Sequence, residues 1–151
     1  LIRQWSVFII VVLLTFGIDQ WIKQFFLSGF MQHGECIDLV LHLNKGVAFS
    51  MFASLGPYLK WIQALLVIAI LFYIVKEGYV RRYAVPVGLL LGGALGNLYD
   101  RFVHDGVVDY IAWHCGFRFA VFNYADIAID LAVVWIVWLL YRHEGIKKVS
   151  E

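Results

Sequence analysis

"AVPVGLLLGGALGNLYDRFVHDGVVDY", residues 84–110, joins an apolar run to a crowd of charges. From Ala84 to Leu98 the only polar side chain is Asn97; Asp100, Arg101, Asp105 and Asp109 follow. Gly88, Gly92 and Gly96 recur at every fourth position, with Gly93 and Ala94 beside them. On a helix this spacing makes one flat face against which a second helix backbone packs closely, an arrangement common in lipid. The stretch therefore predicts a membrane helix packed on a neighbour, ending where charge reaches the membrane surface.

The whole chain supports that solvent. Of its 151 residues 62% are hydrophobic and 15% charged, against roughly 45–50% and 25% in a soluble domain. A soluble fold of this size has too little interior to hide so much apolar surface. A net charge of +1 without a basic stripe argues against nucleic-acid binding. Three further apolar stretches stand out: Trp5–Ile18, continuing through polar-dotted sequence to Leu27, then Tyr58–Val75 and Tyr124–Tyr141. Each approaches the roughly 20 residues needed to cross the hydrocarbon core, although 84–98 needs its polar flanks to do so. Trp5–Ile18 has no small-residue cleavage site behind it, so it reads as a span and not a cleaved leader. The expected fold is an all-α membrane protein, a single integral-membrane domain over residues 1–151. Its four transmembrane helices lie at about 5–27, 58–75, 84–98 and 124–141.

Arg3, Lys76, Arg81, Arg82, Arg142, Lys147 and Lys148 flank one side of these spans. The positive-inside rule then puts both termini and the 76–83 loop in the cytoplasm and turns loops 28–57 and 99–123 outward. In the first of these, Asp38, Val40, His42 and Asn44 alternate with Leu39, Leu41 and Leu43, and Asn44-Lys45-Gly46 supplies turn chemistry before another apolar run. That pattern predicts a small β-hairpin on the outer membrane face, between the first two helices.

This topology gathers Asp19, Glu35, Asp38, Asp100, Asp105, Asp109, Asp126 and Asp130 at the outer side, and leaves only Glu77, Glu144 and Glu151 inside. Ionisable groups near lipid are functional candidates. Asp109 follows the apolar Gly106-Val107-Val108, which presses toward the bilayer, and Asp126 sits in the first turn of the fourth helix. If their side chains meet, the pair shares one proton, because adjacent carboxylates do not both ionise cheaply. The ionised partner activates water; the protonated one polarises a carbonyl and later donates to the leaving nitrogen. That is aspartyl peptide hydrolysis, without metal or cofactor. The residues alone leave a second reading of Asp126 open, since Asn123-x-x-Asp126 has capping-box spacing. Asp109 equally reads as a solvated interfacial acid.

Asn97 stands three and four residues before Asp100 and Arg101, so one helical face holds all three as support for a site. Asp19 and Lys23 have the spacing of an ion pair, Asp105 reads as solvated, and Asp130 finds no account. The five histidines show no metal-ligand spacing, and Cys36 and Cys115 define no framework, so they read as unpaired or incidental. Two other function classes compete. A small transporter or proton-conducting subunit would use the intramembrane Asp, Asn and Lys as a relay, though the acids cluster at one face and no repeat pairs the halves. A metal-dependent membrane hydrolase would instead be sensitive to chelators.

"GIDQWIK" (17–23), "LNKGVAFSMF" (43–52), "GGALGNLYDRFVHDGVVDYI" (92–111) and "FNYADIAI" (122–129) resemble, in order, the motifs of the lipoprotein signal peptidase (signal peptidase II) family. The resemblance covers nearly the whole chain. It implies an aspartyl endopeptidase of the bacterial cytoplasmic membrane that removes signal peptides from diacylglyceryl-modified prolipoproteins, just before the lipobox cysteine. It implies no cofactor, no obligate protein partner, and contact with membrane lipid. The catalytic pair carries over to Asp109 and Asp126, and supporting or substrate-binding roles to Asp19, Lys23, Asn44, Gly46, Asn97, Asp100, Arg101, Asn123 and Ala125. The expected hairpin resembles the family's small extracytoplasmic sheet, which cradles substrate. The chain departs from the family's pattern at Ile127, where a small polar residue is usual, and at Asp130, where a small or neutral one is.

Overall fold

The structure, a computed structural model, describes residues 2–46 and 58–149, with side chains as far as 142. The apolar runs fold as helices because lipid offers no partner to backbone N–H and C=O groups, which a helix satisfies internally. In chain order the elements are α1 (Ile2–Leu27), β1 (Ile37–Asn44), α2 (Tyr58–Lys76), α3 (Tyr79–Val103), β2 (Val107–Trp113) and α4 (Tyr124–Val149). Among the described residues, three helical stretches are long and apolar enough to cross a membrane: Ile2–Leu27, Tyr58–Lys76 and Tyr124–Arg142. Their large apolar side chains point outward, with Leu13, Leu65 and Val134 each more than half exposed. In water that surface would be unfavourable; in lipid it is the solvated face.

α3 differs because it is the centre of the bundle, packed on α1, α2 and α4. Its interior face holds Val80, Ala84, Val87 and Leu91, which meet Phe8 of α1 and Val67 and Ile74 of α2 in the apolar core. Gly88 and Gly92 press on α1 so closely that an added Cβ would overlap Val11 or Thr15, and at Gly93 it would overlap the Ala125 carbonyl of α4. The expected small-residue face is therefore real, and it serves two neighbours. The helix also starts earlier than the apolar run suggests, with a kink at Tyr83 (φ −135°, ψ 39°). Pro86 follows within the first turn beyond that break, where its missing N–H costs little.

The second arm of the expected hairpin falls in residues 47–57, outside the described residues. Among the described residues, β1 pairs antiparallel with β2, from the other connecting segment, running from Ile37↔Trp113 to Asn44↔Val107 with an irregularity between Leu39 and His42. Phe122 adds a bridge to Ile111 on the outer edge of β2. Alternation in residues 38–44 identified a strand, but alternation carries no information about which distant strand supplies the partner. The same pairing corrects the reading of the cysteines. Cys36 and Cys115 flank the paired ends Ile37 and Trp113, and they form a disulfide.

Candidate active site

A buried ionic layer underlies the site. Lys23 on α1 bonds Asp19 at 2.8 Å and Asp100 of α3 at 2.7 Å, and all three are 1% exposed or less. Buried charges persist only when paired and hydrogen-bonded, and here every one is. Gln20 donates to Asp19 Oδ2 and Asp100 Oδ1 at 3.1 and 3.0 Å. Backbone N–H groups add to these: Asp19 Oδ1 accepts from Ala125, and Asp100 Oδ2, already paired with Lys23, accepts from Val108 as well. One cation and two carboxylates thus fasten α1 and α3 to the start of β2 and the start of α4. Gly96 makes room for this, because a Cβ there would collide with the Asp19 carboxylate.

Above that layer lie two further carboxyl groups. Asp109 enters from β2, opposite His42 in the register. Its Oδ2 accepts from Asn44 Nδ2 at 3.0 Å and its Oδ1 from Asn123 Nδ2 at 2.7 Å. Asp126, in the first turn of α4, accepts from Asn97 Nδ2 at 2.8 Å and from the Asn123 backbone N–H at 3.1 Å. The amide of Asn97 cannot usefully flip, because its Oδ1 already accepts from Lys23 Nζ at 2.9 Å and Asn123 Nδ2 at 3.1 Å. Asn123 Oδ1 in turn accepts the N–H of Asp126 at 2.9 Å, so the capping box expected from spacing is present. Asn123 bridges the two carboxyl groups.

Asp109 is 2% exposed. Its burial, joined by the negative charge of Asp126, pushes its pKa up to about 7 against the opposing pull of the Asn44 and Asn123 hydrogen bonds. Near neutral pH it therefore holds or releases a proton with little bias. Both carboxyl groups line one cavity of about 650 Å³, walled on the far side by Leu59, Ile62 and Leu66 of α2. Arg101 stands at its edge. Its Nε donates to Gln63 Oε1 at 2.7 Å, and its Nη2 to the Gly46 carbonyl. Gly46 N–H donates to Asn44 Oδ1 at 3.0 Å, so the turn held by Arg101 also orients the Asn44 amide toward Asp109. Two carboxyl groups with distinct surroundings, one titrating near neutrality, beside an apolar cavity, have the chemistry an acid–base pair for hydrolysis requires.

A family model described as signal peptidase (SPase) II matches residues 11–142. The chain belongs to the signal peptidase II family. It is accordingly a peptidase of aspartic type and an integral inner-membrane protein. It is 66% identical over 139 residues to a protein of Sulfurovum sp. (strain NBC37-1) named lipoprotein signal peptidase, covering 92% of this chain and 95% of that one. A protein of the same name from Sulfurimonas denitrificans is 50% identical over 149 residues, covering 99% and 97%. Among solved structures, a bacterial membrane enzyme determined in meso at 2.3 Å superposes with a TM-score of 0.81 at 25% identity, covering 94% of this chain and 92% of that one.

The residues that sequence singled out fall into a single assembly around the two carboxyl groups. Asp109, Asp126, Asn44, Asn97 and Arg101 line the cavity. Asn123 joins the carboxyls, while Asp19, Lys23 and Asp100 lie in the layer beneath, with Ala125 contributing a backbone N–H and Gly46 a carbonyl. Asp105 stands apart: it takes φ 53° just past α3 and faces Lys60 at 3.6 Å. Asp tolerates this left-handed conformation better than most residues. Three participants went unnoticed in the sequence. Gln20 and Gln63 are amides inside apolar helices, which is itself a signal. Tyr110 carries none; it stacks on Phe26 at 4.2 Å and its Oη accepts the Tyr124 N–H at 3.0 Å, at the start of α4.

Proposed function

We propose that Asp109 and Asp126 are the catalytic pair, and that the protein removes signal peptides from diacylglyceryl-modified prolipoproteins, cleaving just before the lipid-bearing cysteine. The observation that carries this reading is the bridge through Asn123, which holds both carboxyl groups at one cavity while Asp109 keeps a proton to about pH 7. With one proton on the pair, the ionised carboxylate takes a proton from water as the oxygen attacks the scissile carbonyl. The protonated partner stabilises the developing oxyanion. Collapse of the tetrahedral intermediate breaks the C–N bond, and a carboxyl proton passes to the leaving amine. The asparagines hold the carboxyls in place throughout, and the remaining residues brace them.

The whole chain acts as a single membrane domain, with α3 as a fourth span whose polar end residues face the bundle interior. The distribution of Lys and Arg puts both termini in the cytoplasm. The disulfide supports the same orientation, since such bonds persist in oxidising compartments such as the bacterial periplasm and not in the cytosol. The sheet and the two carboxyls then sit at the outer face. A lipid-modified substrate meets them there with its acyl chains still in the bilayer, avoiding about 0.8 kcal/mol for each CH₂ drawn into water.

Incubation of the purified protein with a diacylglyceryl-prolipoprotein and its unmodified form tests this. Mass spectrometry should find cleavage immediately before the modified cysteine and little turnover of the unmodified chain. Equal turnover of both, or cleavage abolished by a chelator, would overturn the proposal.

A further inference from the structure

Asp130, an exposed residue of α4, also lines the cavity. Every oxygen of Asp109 and Asp126 has a donor. Asp130 has no hydrogen-bond or ion-pair partner among the described residues. The same cavity is lined by the apolar side chains of Ile127 on α4 and Ile62 and Leu66 on α2. A carboxyl group beside an apolar wall is costly once water leaves unless a donor replaces the water. When a substrate fills the cavity, that donor has to come from the substrate.

We propose that Asp130 is a specificity-determining residue that accepts a hydrogen bond from a hydroxyl-bearing side chain two residues before the scissile bond. This rests on the catalytic reading of Asp109 and Asp126 given above. Asp130 lies one turn along α4 from Asp126, about 6 Å further from the outer face. An extended peptide rises about 3.3 Å per residue, so the second residue from the scissile bond is level with it. The part of the substrate that runs inward from the site is the signal peptide, which sets the direction. A hydroxyl fits better than an ammonium, which would bring its own desolvation cost to an apolar wall.

Two diacylglyceryl-prolipopeptides that differ only in Ser or Ala at that position test the proposal, with kcat/KM measured for each in the same detergent. The wild-type protein should favour Ser about fivefold to tenfold, chiefly through KM. Asp130→Ala should bring the ratio to about one, and Asp130→Asn, which keeps an acceptor oxygen, should hold it above that of Asp130→Ala. A ratio in Asp130→Ala equal to that of the wild type overturns the proposal, and so does a wild-type ratio of one. A merely structural role for Asp130 would lower both rates together and leave the ratio in place. Failure of the wild-type protein to cleave either peptide would overturn the catalytic reading itself, a distinct result.

Discussion

Asn123 and Asp126 bond each other twice: the Asn123 side-chain oxygen accepts the Asp126 N–H at 2.9 Å, and the Asp126 carboxylate accepts the Asn123 N–H at 3.1 Å. The helix cap and the candidate site are therefore one object. Asn123→Ala should cost about 1 kcal/mol from the cap alone, and it also strips Asp109 of its closest donor. Asn123→Ser keeps a capping oxygen without the NH₂ group. It should recover most of the thermal stability in detergent but little of the cleavage rate, and recovery of both would detach the amide from catalysis.

Asp109→Asn and Asp126→Asn preserve side-chain shape and most acceptor positions. Each should lower cleavage of a diacylglyceryl-prolipoprotein by about 10²–10⁴-fold, the range for loss of a general acid or base. Unfolding temperatures should stay within a few degrees of the wild type. Robust turnover by either variant would remove that residue from the mechanism.

The pH dependence follows from Asp109. Burial places its pKa near 7, well above the ordinary carboxylate value. The folded protein therefore binds this proton more tightly than the unfolded chain does. The group's contribution to stability is fullest below the ordinary carboxylate range and is lost as pH rises through about 7. Because the pair needs one proton, kcat/KM should fall on the alkaline side with an apparent pKa near 7. A pH–rate profile checks this, and activity flat to pH 9 would contradict it. Asp109→Asn should flatten the decline of unfolding temperature between pH 5 and 8.

Lys23 separates Asp19 from Asp100 in a dry layer. Lys23→Met leaves two buried carboxylates with no cation between them, and breaking such a pair costs about 3–5 kcal/mol. Denaturation in detergent should register that loss. Adding Asp100→Asn to Lys23→Met should return part of it, since one of the uncompensated charges is gone.

The disulfide closes a loop across 79 positions of sequence. Cys36→Ser or Cys115→Ser should lower stability by about 2–4 kcal/mol at most, less if the membrane helices persist in the unfolded state. Reductant should bring the wild-type unfolding temperature down to that of the variants and leave theirs unmoved.

Much of this was legible in the sequence. The apolar runs located the helices, because in lipid a helix is the local solution to backbone hydrogen bonding and needs no partner. Asp19 and Lys23 could be paired from an i, i+4 spacing, and Asn123 with Asp126 from the capping box, since both relationships lie within one turn of chain. Gly88 and Gly92 announced a close helix contact. In every case the physics acts over four residues or fewer. The signal peptidase II motifs extended this to the likeness of the whole chain to a family.

What spans the chain was decided only by folding. β1 showed its alternation, but its partner lay more than sixty residues away, and with it came a disulfide between two cysteines that the sequence alone read as unpaired or incidental. The run 84–98 needed its polar flanks to reach the length of a span; enclosure of α3 by the other helices explains its glycines and its polar end. Asp109 and Asp126 were each legible as candidates with bland alternatives, yet the bridge through Asn123 needs β2, α3 and α4 placed together. Short-range hydrogen bonding and hydrophobicity are written along the chain. Burial, and the raised pKa of Asp109 that burial causes, exist only once distant segments have excluded water from the same point.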